Sequence, residues 1–332
     1  MSAAARPIGA PRATEATCLP LPGPEADNLL GFLAILGTLR VLETFRPDLQ
    51  PRISWSEAPW TAALHLAEPL SEAEVAEMLS KGCSEIAERF DVDGRKNVNF
   101  DRASFRAYAQ RLTGDALNQR LASALTAELP EREGKALRAA PLVMMFGQGW
   151  QNFLERLVAV PRGDLPNRFA KQKNPPDFRS PAKIAEALFR PWQRTDDADA
   201  FRWDPEEDQR YALRFGDPSR AGAAPTVHGA NRLAAIGFLS YVCSPGASSQ
   251  RVAGTRFDRG RVSFVWPLWE QPLALVAIEA LLAHPALRDG DLESLRPYGV
   301  FEILRCERIS NGKFMNTTRA RPYRGEGRGG LE

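Results

Sequence analysis

Residues 28–42 constrain the fold most tightly. After Asn28 come Leu29, Leu30, Phe32, Leu33, Ile35, Leu36 and Leu39, a spacing that is apolar on nearly every side of a helix. Asn28 predicts an N-cap, because its side-chain oxygen accepts from the otherwise unpaired amides of the first turn. A helix apolar nearly all round is buried rather than half-exposed. Gly31 and Gly37 sit inside it, each at a helix-propensity cost of about 1 kcal/mol. Their missing side chains predict that another backbone comes close. Residues 229–241 form a second glycine-punctured apolar helix. Leu33-Ala34-Ile35-Leu36-Gly37-Thr38-Leu39 is echoed by Leu233-Ala234-Ala235-Ile236-Gly237-Phe238-Leu239, which suggests two comparable cores.

Between and around these helices, short alternating segments predict strands within 51–66 and 251–266 and at 299–305. Ser71 before Glu72, Glu74 and Glu77 reads as a capped start of a helix reaching about residue 90. Further helices are expected over 105–112, 116–129, 144–158 and 273–283. The class predicted is α+β, a mixed α/β chain of two lobes, each with a buried glycine-containing helix and short antiparallel strands. Residues 1–27, rich in prolines and small side chains, read as a flexible arm. A mainly helical lobe spans 28–160, a basic proline-rich connection 161–195 and a mixed α/β lobe 196–320. A Gly- and Arg-rich tail, 321–332, is expected to be disordered.

Composition excludes several classes. With 332 residues, 44% apolar and 25% charged, the chain has ordinary globular values. No apolar run is long enough for a membrane span, and no signal peptide is apparent. Cys18, Cys83, Cys243 and Cys306 show no CxxC spacing, so reduced thiols in a cytoplasmic protein are expected and a local zinc motif is not.

The net charge is only +2, yet 36 of the 43 basic residues are arginine. Arginine binds phosphate through a planar fork and stacks on bases, although a GC-rich genome also raises arginine content. Distribution discriminates better. Residues 68–93 carry a net −6, a face that repels phosphate and that could instead serve a partner protein. Residues 161–194, including Lys171, Lys173 and Arg179, carry a net +5. Arg251, Arg256, Phe257, Arg259 and Arg261 make a basic hairpin-like stretch. Arg305, Arg308, Asn311, Lys313, Phe314, Asn316, Thr317, Thr318, Arg319 and Arg321 combine cations, amides and hydroxyls around an Asn-Gly turn. These are the groups that contact phosphates and sugars. The candidate nucleic-acid-binding residues are therefore Lys171, Lys173, Arg179, Arg251, Arg256, Arg259, Arg261, Arg308, Lys313 and Arg319.

GxxxxGK[ST] and GxSxG are absent, and no GxGxxG lies between a strand and a helix. His228, at a helix entry, and the acids around Glu206 offer an alternative site for a defence-associated metal-dependent nuclease or hydrolase. The commoner role for such a histidine is a cap or a satisfied core group. No cofactor and no catalytic residue is expected.

Asn28-Leu29-Leu30-Gly31-Phe32-Leu33-Ala34-Ile35-Leu36-Gly37-Thr38-Leu39-Arg40-Val41-Leu42 resembles the N-terminal GFLAALGxLRxL pattern of CRISPR-associated proteins. The similarity is to subunits of type I effector complexes (Cascade), especially the large-subunit group of type I-G, formerly I-U. Phe201-Arg202-Trp203-Asp204-Pro205 with Arg210-Tyr211-Ala212-Leu213, and then Gly229-Ala230-Asn231-Arg232-Leu233-Ala234, resemble later blocks of such proteins. What the resemblance implies is a non-enzymatic subunit of an RNA-guided surveillance complex in antiviral defence. Its implied partners are other effector subunits, guide RNA and target DNA. In RNA-guided systems the protein reads shape and the flanking motif, while base pairing reads sequence.

Overall fold

A computed structural model describes residues 17–128, 137–144, 152–207, 225–246, 250–258, 260–311 and 314–325. In chain order its elements are β1 (Thr17–Leu21), α1 (Leu29–Phe45), β2 (Arg52–Trp55), β3 (Ala62–Leu66), α2 (Glu72–Glu88), α3 (Arg102–Arg111), α4 (Ala116–Leu125), α5 (Phe153–Arg162), α6 (Pro181–Phe189), α7 (His228–Gly237), β4 (Cys243–Ser244), β5 (Arg251–Val252), β6 (Thr255–Asp258), β7 (Arg261–Trp269), α8 (Leu275–Ala283), α9 (Pro285–Asp289), β8 (Val300–Asn311), β9 (Phe314–Thr317) and β10 (Arg321–Pro322). The class is α+β, as expected.

Asn28 caps α1 as its type predicts, its side-chain oxygen accepting from the Leu30 amide at 3.0 Å. α1 is buried from Leu29 to Leu39, and α7 is buried throughout. The two helices lie against each other at their glycines. A Cβ on Gly37 would stand 1.9 Å from the Leu233 carbonyl oxygen, and one on Gly237 would stand 2.0 Å from that of Leu33. The glycine helices of the two expected lobes therefore share one contact, and one apolar core includes residues from both halves. Leucines and aromatics around that contact carry the core to the sheets. Phe32 stacks on Trp266 at 5.5 Å, and the Trp266 and Trp269 indole N–H groups donate to the Ala26 and Ile53 carbonyls.

The smaller sheet has the order β1-β3-β2, antiparallel throughout. Its edge strand overturns part of the flexible-arm reading. Residues 17–27 are structured: Thr17–Leu21 pairs with β3, Leu21 is fully buried, and the Gly23 amide donates to the Leu188 carbonyl at 3.0 Å. Pro20 is tolerated because an edge strand has one side that needs no N–H donor. The larger sheet has the order β10-β8-β7-β6, with β9 also on β8. β10 adds residues 321–322 to it, so that part of the expected tail is sheet.

α2 begins with the expected capping box, Ser71 Oγ accepting from Glu74 N and Glu74 Oε2 from Ser71 N. The connection contains α6, started by Ser180 as N-cap with Pro181 in the first turn. Pro tolerates that position because the first amides of a helix lack partners anyway. The helix expected over 144–158 begins at Phe153 instead, and residues 145–151 lie outside the described ones. Residues 210–215, whose alternation in the sequence predicts a strand, lie outside them too. Among the described residues no helix is long and apolar enough to cross a membrane. Cys83, Cys243 and Cys306 are buried and unbridged. Burial pushes the Cys83 thiol up to about 11 and the Cys243 thiol up to about 12, as expected for inert thiols.

Candidate nucleic-acid interface

The register of the larger sheet decides which arginines meet. Arg256 lies opposite Ser263, Arg261 opposite Asp258, Ser263 opposite Glu307 and Val265 opposite Arg305. Arg321 lies directly opposite Arg305. Side chains alternate faces along a strand, so Arg256, Arg261, Arg305 and Arg321 share one face of the sheet. The other face carries Phe264, Trp266, Leu304 and Cys306, all fully buried. At one end of the arginine face, α9 adds Asp289: Arg256 Nη1 donates to the Arg288 backbone carbonyl at 3.3 Å and lies 3.9 Å from Asp289.

Like charges directly opposite each other destabilise a sheet, so the Arg305–Arg321 pair needs a counterweight. Arg305 is satisfied within the protein: it donates to Glu307 at 2.8 Å and Ser263 Oγ at 3.1 Å, and its guanidinium sits 5.0 Å over the Tyr323 ring. Arg321 and Arg261 are exposed, with no carboxylate in ion-pair range among the described residues. Asp258, Asp289 and Glu307 are interleaved with the four arginines, so the face keeps a small positive excess. Such a surface can hold a few phosphates.

The structure places the other candidates elsewhere. Arg251 is exposed on β5, opposite Ser244. Arg308 points to the other face of β8, half-buried, donating to the Pro141 carbonyl at 3.2 Å. Burial and the nearby Arg138 lower its pKa, and its work is to hold the 137–144 segment. Arg319 meets Glu25 at 3.0 Å, Asp27 at 2.9 Å and Glu206 at 3.1 Å. Burial opposes its charge, but these carboxylates raise its pKa well above the usual value. Its charge is consumed internally. Arg179 pairs with Asp164 at 2.8 Å, while Lys171 and Lys173 are exposed on the connection. α6 of that connection packs on α2 and α7, whereas β7 packs on β8, β6, α8 and α9. Arg259 and Lys313 lie outside the described residues. Sequence reasoning missed Tyr323, which meets Arg305 only through sheet pairing.

Arg319 belongs to a polar knot that joins distant segments. Arg194 binds Glu25 at 2.7 Å and the fully buried Asp204 at 2.9 Å, and Asn28 Nδ2 donates to Asp204 at 2.9 Å. The three blocks of the CRISPR resemblance converge here, since Phe201 N also donates to Asn231 Oδ1 at 3.3 Å. Burial alone would raise the Glu25 pKa, but hydrogen bonds from Arg194 and Asn28 and the charges of Arg194 and Arg319 lower it overall. A carboxyl with a lowered folded-state pKa contributes stability above its unfolded value and loses it as pH falls through the folded one. Glu25→Gln should therefore flatten the acid side of a stability–pH curve measured by urea unfolding. An unchanged acid limb would remove Glu25 from that dependence.

His228 is buried, tilted against Phe178 at 4.5 Å, with both ring nitrogens lacking hydrogen-bond partners. Burial, with Arg232 and Lys183 nearby, pushes its pKa down to about 3. It is a neutral core ring, away from solvent. Glu206 is bound to Arg319, and among the described residues no group of three or more His, Cys, Asp or Glu side chains is placed to hold a metal ion. No family model, curated protein or solved structure matches the chain.

Proposed function

We propose that the chain is a nucleic-acid-binding, non-catalytic subunit of a type I CRISPR RNA-guided surveillance complex, contacting guide RNA or target DNA in the cytoplasm. The observation that carries this reading is the shared sheet face of Arg256, Arg261, Arg305 and Arg321, two of them exposed with no carboxylate in ion-pair range among the described residues. Guanidinium forks suit phosphate geometry. The three sequence blocks supply the CRISPR context, and other effector subunits are the partners it implies.

The test is a salt titration of binding to a labelled single-stranded RNA and to a DNA duplex. Each phosphate contact contributes about 0.7 to the log–log salt slope on single strands and about 0.9 on duplex DNA. Arg256→Ala with Arg261→Ala and Arg321→Ala should weaken binding and flatten the slope by about two to three units. A slope identical to that of the unaltered protein on both ligands would assign this face to solvent and defeat the proposal.

A further inference from the structure

α1 packs against α2 at Gly82, where a Cβ would stand 2.4 Å from Val41 Cγ1 and 3.0 Å from Phe45 Cδ2. Beside that point a cleft of about 280 Å³ opens to solvent. Val41, Leu42 and Phe45 of α1 form one wall, and Met78 and Gly82 of α2 the other. Phe45 is 37% exposed, unusual for a large apolar side chain in this protein. Met78 is partly buried, and methionine adapts its shape to varied apolar groups.

The rim is acidic. The two cations lining the cleft, Arg46 and Lys81, are already countered: Arg46 by Asp48 at 2.7 Å and Glu68 at 3.7 Å, Lys81 by Glu85 at 3.7 Å. Glu74, Glu77 and Glu88 add exposed carboxylates along the same helix. The surface is therefore apolar at its floor and negative around it, which disfavours an anionic lipid or a phosphate. No buried polar side chain lines the floor to orient a small polar ligand.

We propose that this cleft receives a basic amphipathic helix of a partner protein, with an apolar anchor residue seated between Phe45 and Met78 and flanking lysines or arginines meeting the carboxylates of α2. The mode is helix-in-groove recognition, with anchors spaced three or four residues apart. The proposal does not depend on nucleic-acid binding, because it concerns different helices and the opposite charge.

The test uses the full chain and two fluorescein-labelled helical peptides with leucines spaced three and four residues apart, one with lysines and one with glutamates at the remaining positions. The lysine peptide should bind at least about tenfold more tightly than the glutamate peptide. Met78→Glu should weaken the lysine peptide about tenfold, equivalent to about 1.4 kcal/mol. Met78→Ala, a milder change that guards against misfolding of the first variant, should weaken it about threefold. Glu77→Lys with Glu88→Lys should weaken it several-fold, less so at high salt. Equal binding of both peptides, or affinity unchanged by Met78→Glu and Met78→Ala in folded protein, overturns the proposal. So does self-association abolished by Met78→Glu without peptide binding, which would make a second copy the occupant.

Discussion

Arg232→Met should destabilise the protein by about 3–5 kcal/mol, a large fraction of the stability of an ordinary domain. Arg232 is fully buried on α7, and among the described residues no carboxylate hydrogen-bonds to it. Its Nε donates to the Pro161 carbonyl at 2.9 Å, at the end of α5. Nη1 reaches Ser80 Oγ at 2.9 Å and the Phe178 and Arg179 carbonyls at 3.3 Å, and Nη2 donates to the Ser80 carbonyl at 2.8 Å. One fork thus ties α2, α5 and the segment before α6 to α7. Removing the charge recovers part of its desolvation cost, which burial signals by lowering the Arg232 pKa. That recovery is outweighed, because buried acceptors are left without donors at about 1–3 kcal/mol each. Arg232→Lys should fare little better, since an ammonium cannot reproduce the planar fork and is harder to desolvate. Urea unfolding of both variants measures this; a Met variant within about 1 kcal/mol of the parent would mean those carbonyls find other donors.

Arg232 also shows where sequence reading stops. It stands in the third block, Gly229-Ala230-Asn231-Arg232-Leu233-Ala234, where only its neighbours' periodicity is visible. A buried arginine satisfied by backbone carbonyls from three segments leaves no local trace, because its partners are set by tertiary packing. Local signals did better. Asn28, Ser71 with Glu74, and the alternation of β2 and β3 were legible because caps and period-two patterns act within a few residues. β1 and α6 were lost to their prolines, read as loop where one marks an edge strand and another a helix start. The arginine face was partly legible. Arg256 and Arg261 lie on one hairpin, but their meeting with Arg305 and Arg321 depends on sheet register, and Arg308 and Arg319 turned inward. The three blocks, read as functional likeness, meet in the interior at Asn28, Asp204 and Asn231. Their described residues pack in the core.

Gly37→Ala and Gly237→Ala should each cost about 2–3 kcal/mol, and together clearly less than the sum. The added methyl meets a carbonyl oxygen 1.9 Å away in one case and 2.0 Å in the other. Both obstacles are backbone, so no side chain can rotate aside and the helices must separate by about 1 Å or more to restore normal contact distances of about 3.5 Å. Alanine's better helix propensity returns only about 1 kcal/mol. The contact is reciprocal: Gly37 meets Leu233, four residues before Gly237, and Gly237 meets Leu33, four residues before Gly37. The internal echo Leu33-Ala34…Gly37 and Leu233-Ala234…Gly237 is therefore the contact itself written twice. Once one alanine has pushed α1 and α7 apart, the second enters space already opened. A double-mutant cycle by urea unfolding should show a coupling of at least about 1 kcal/mol in the favourable direction. Strict additivity would mean the helices relieve the two clashes by separate local adjustments, and the shared seam between the two halves of the chain would lose its support.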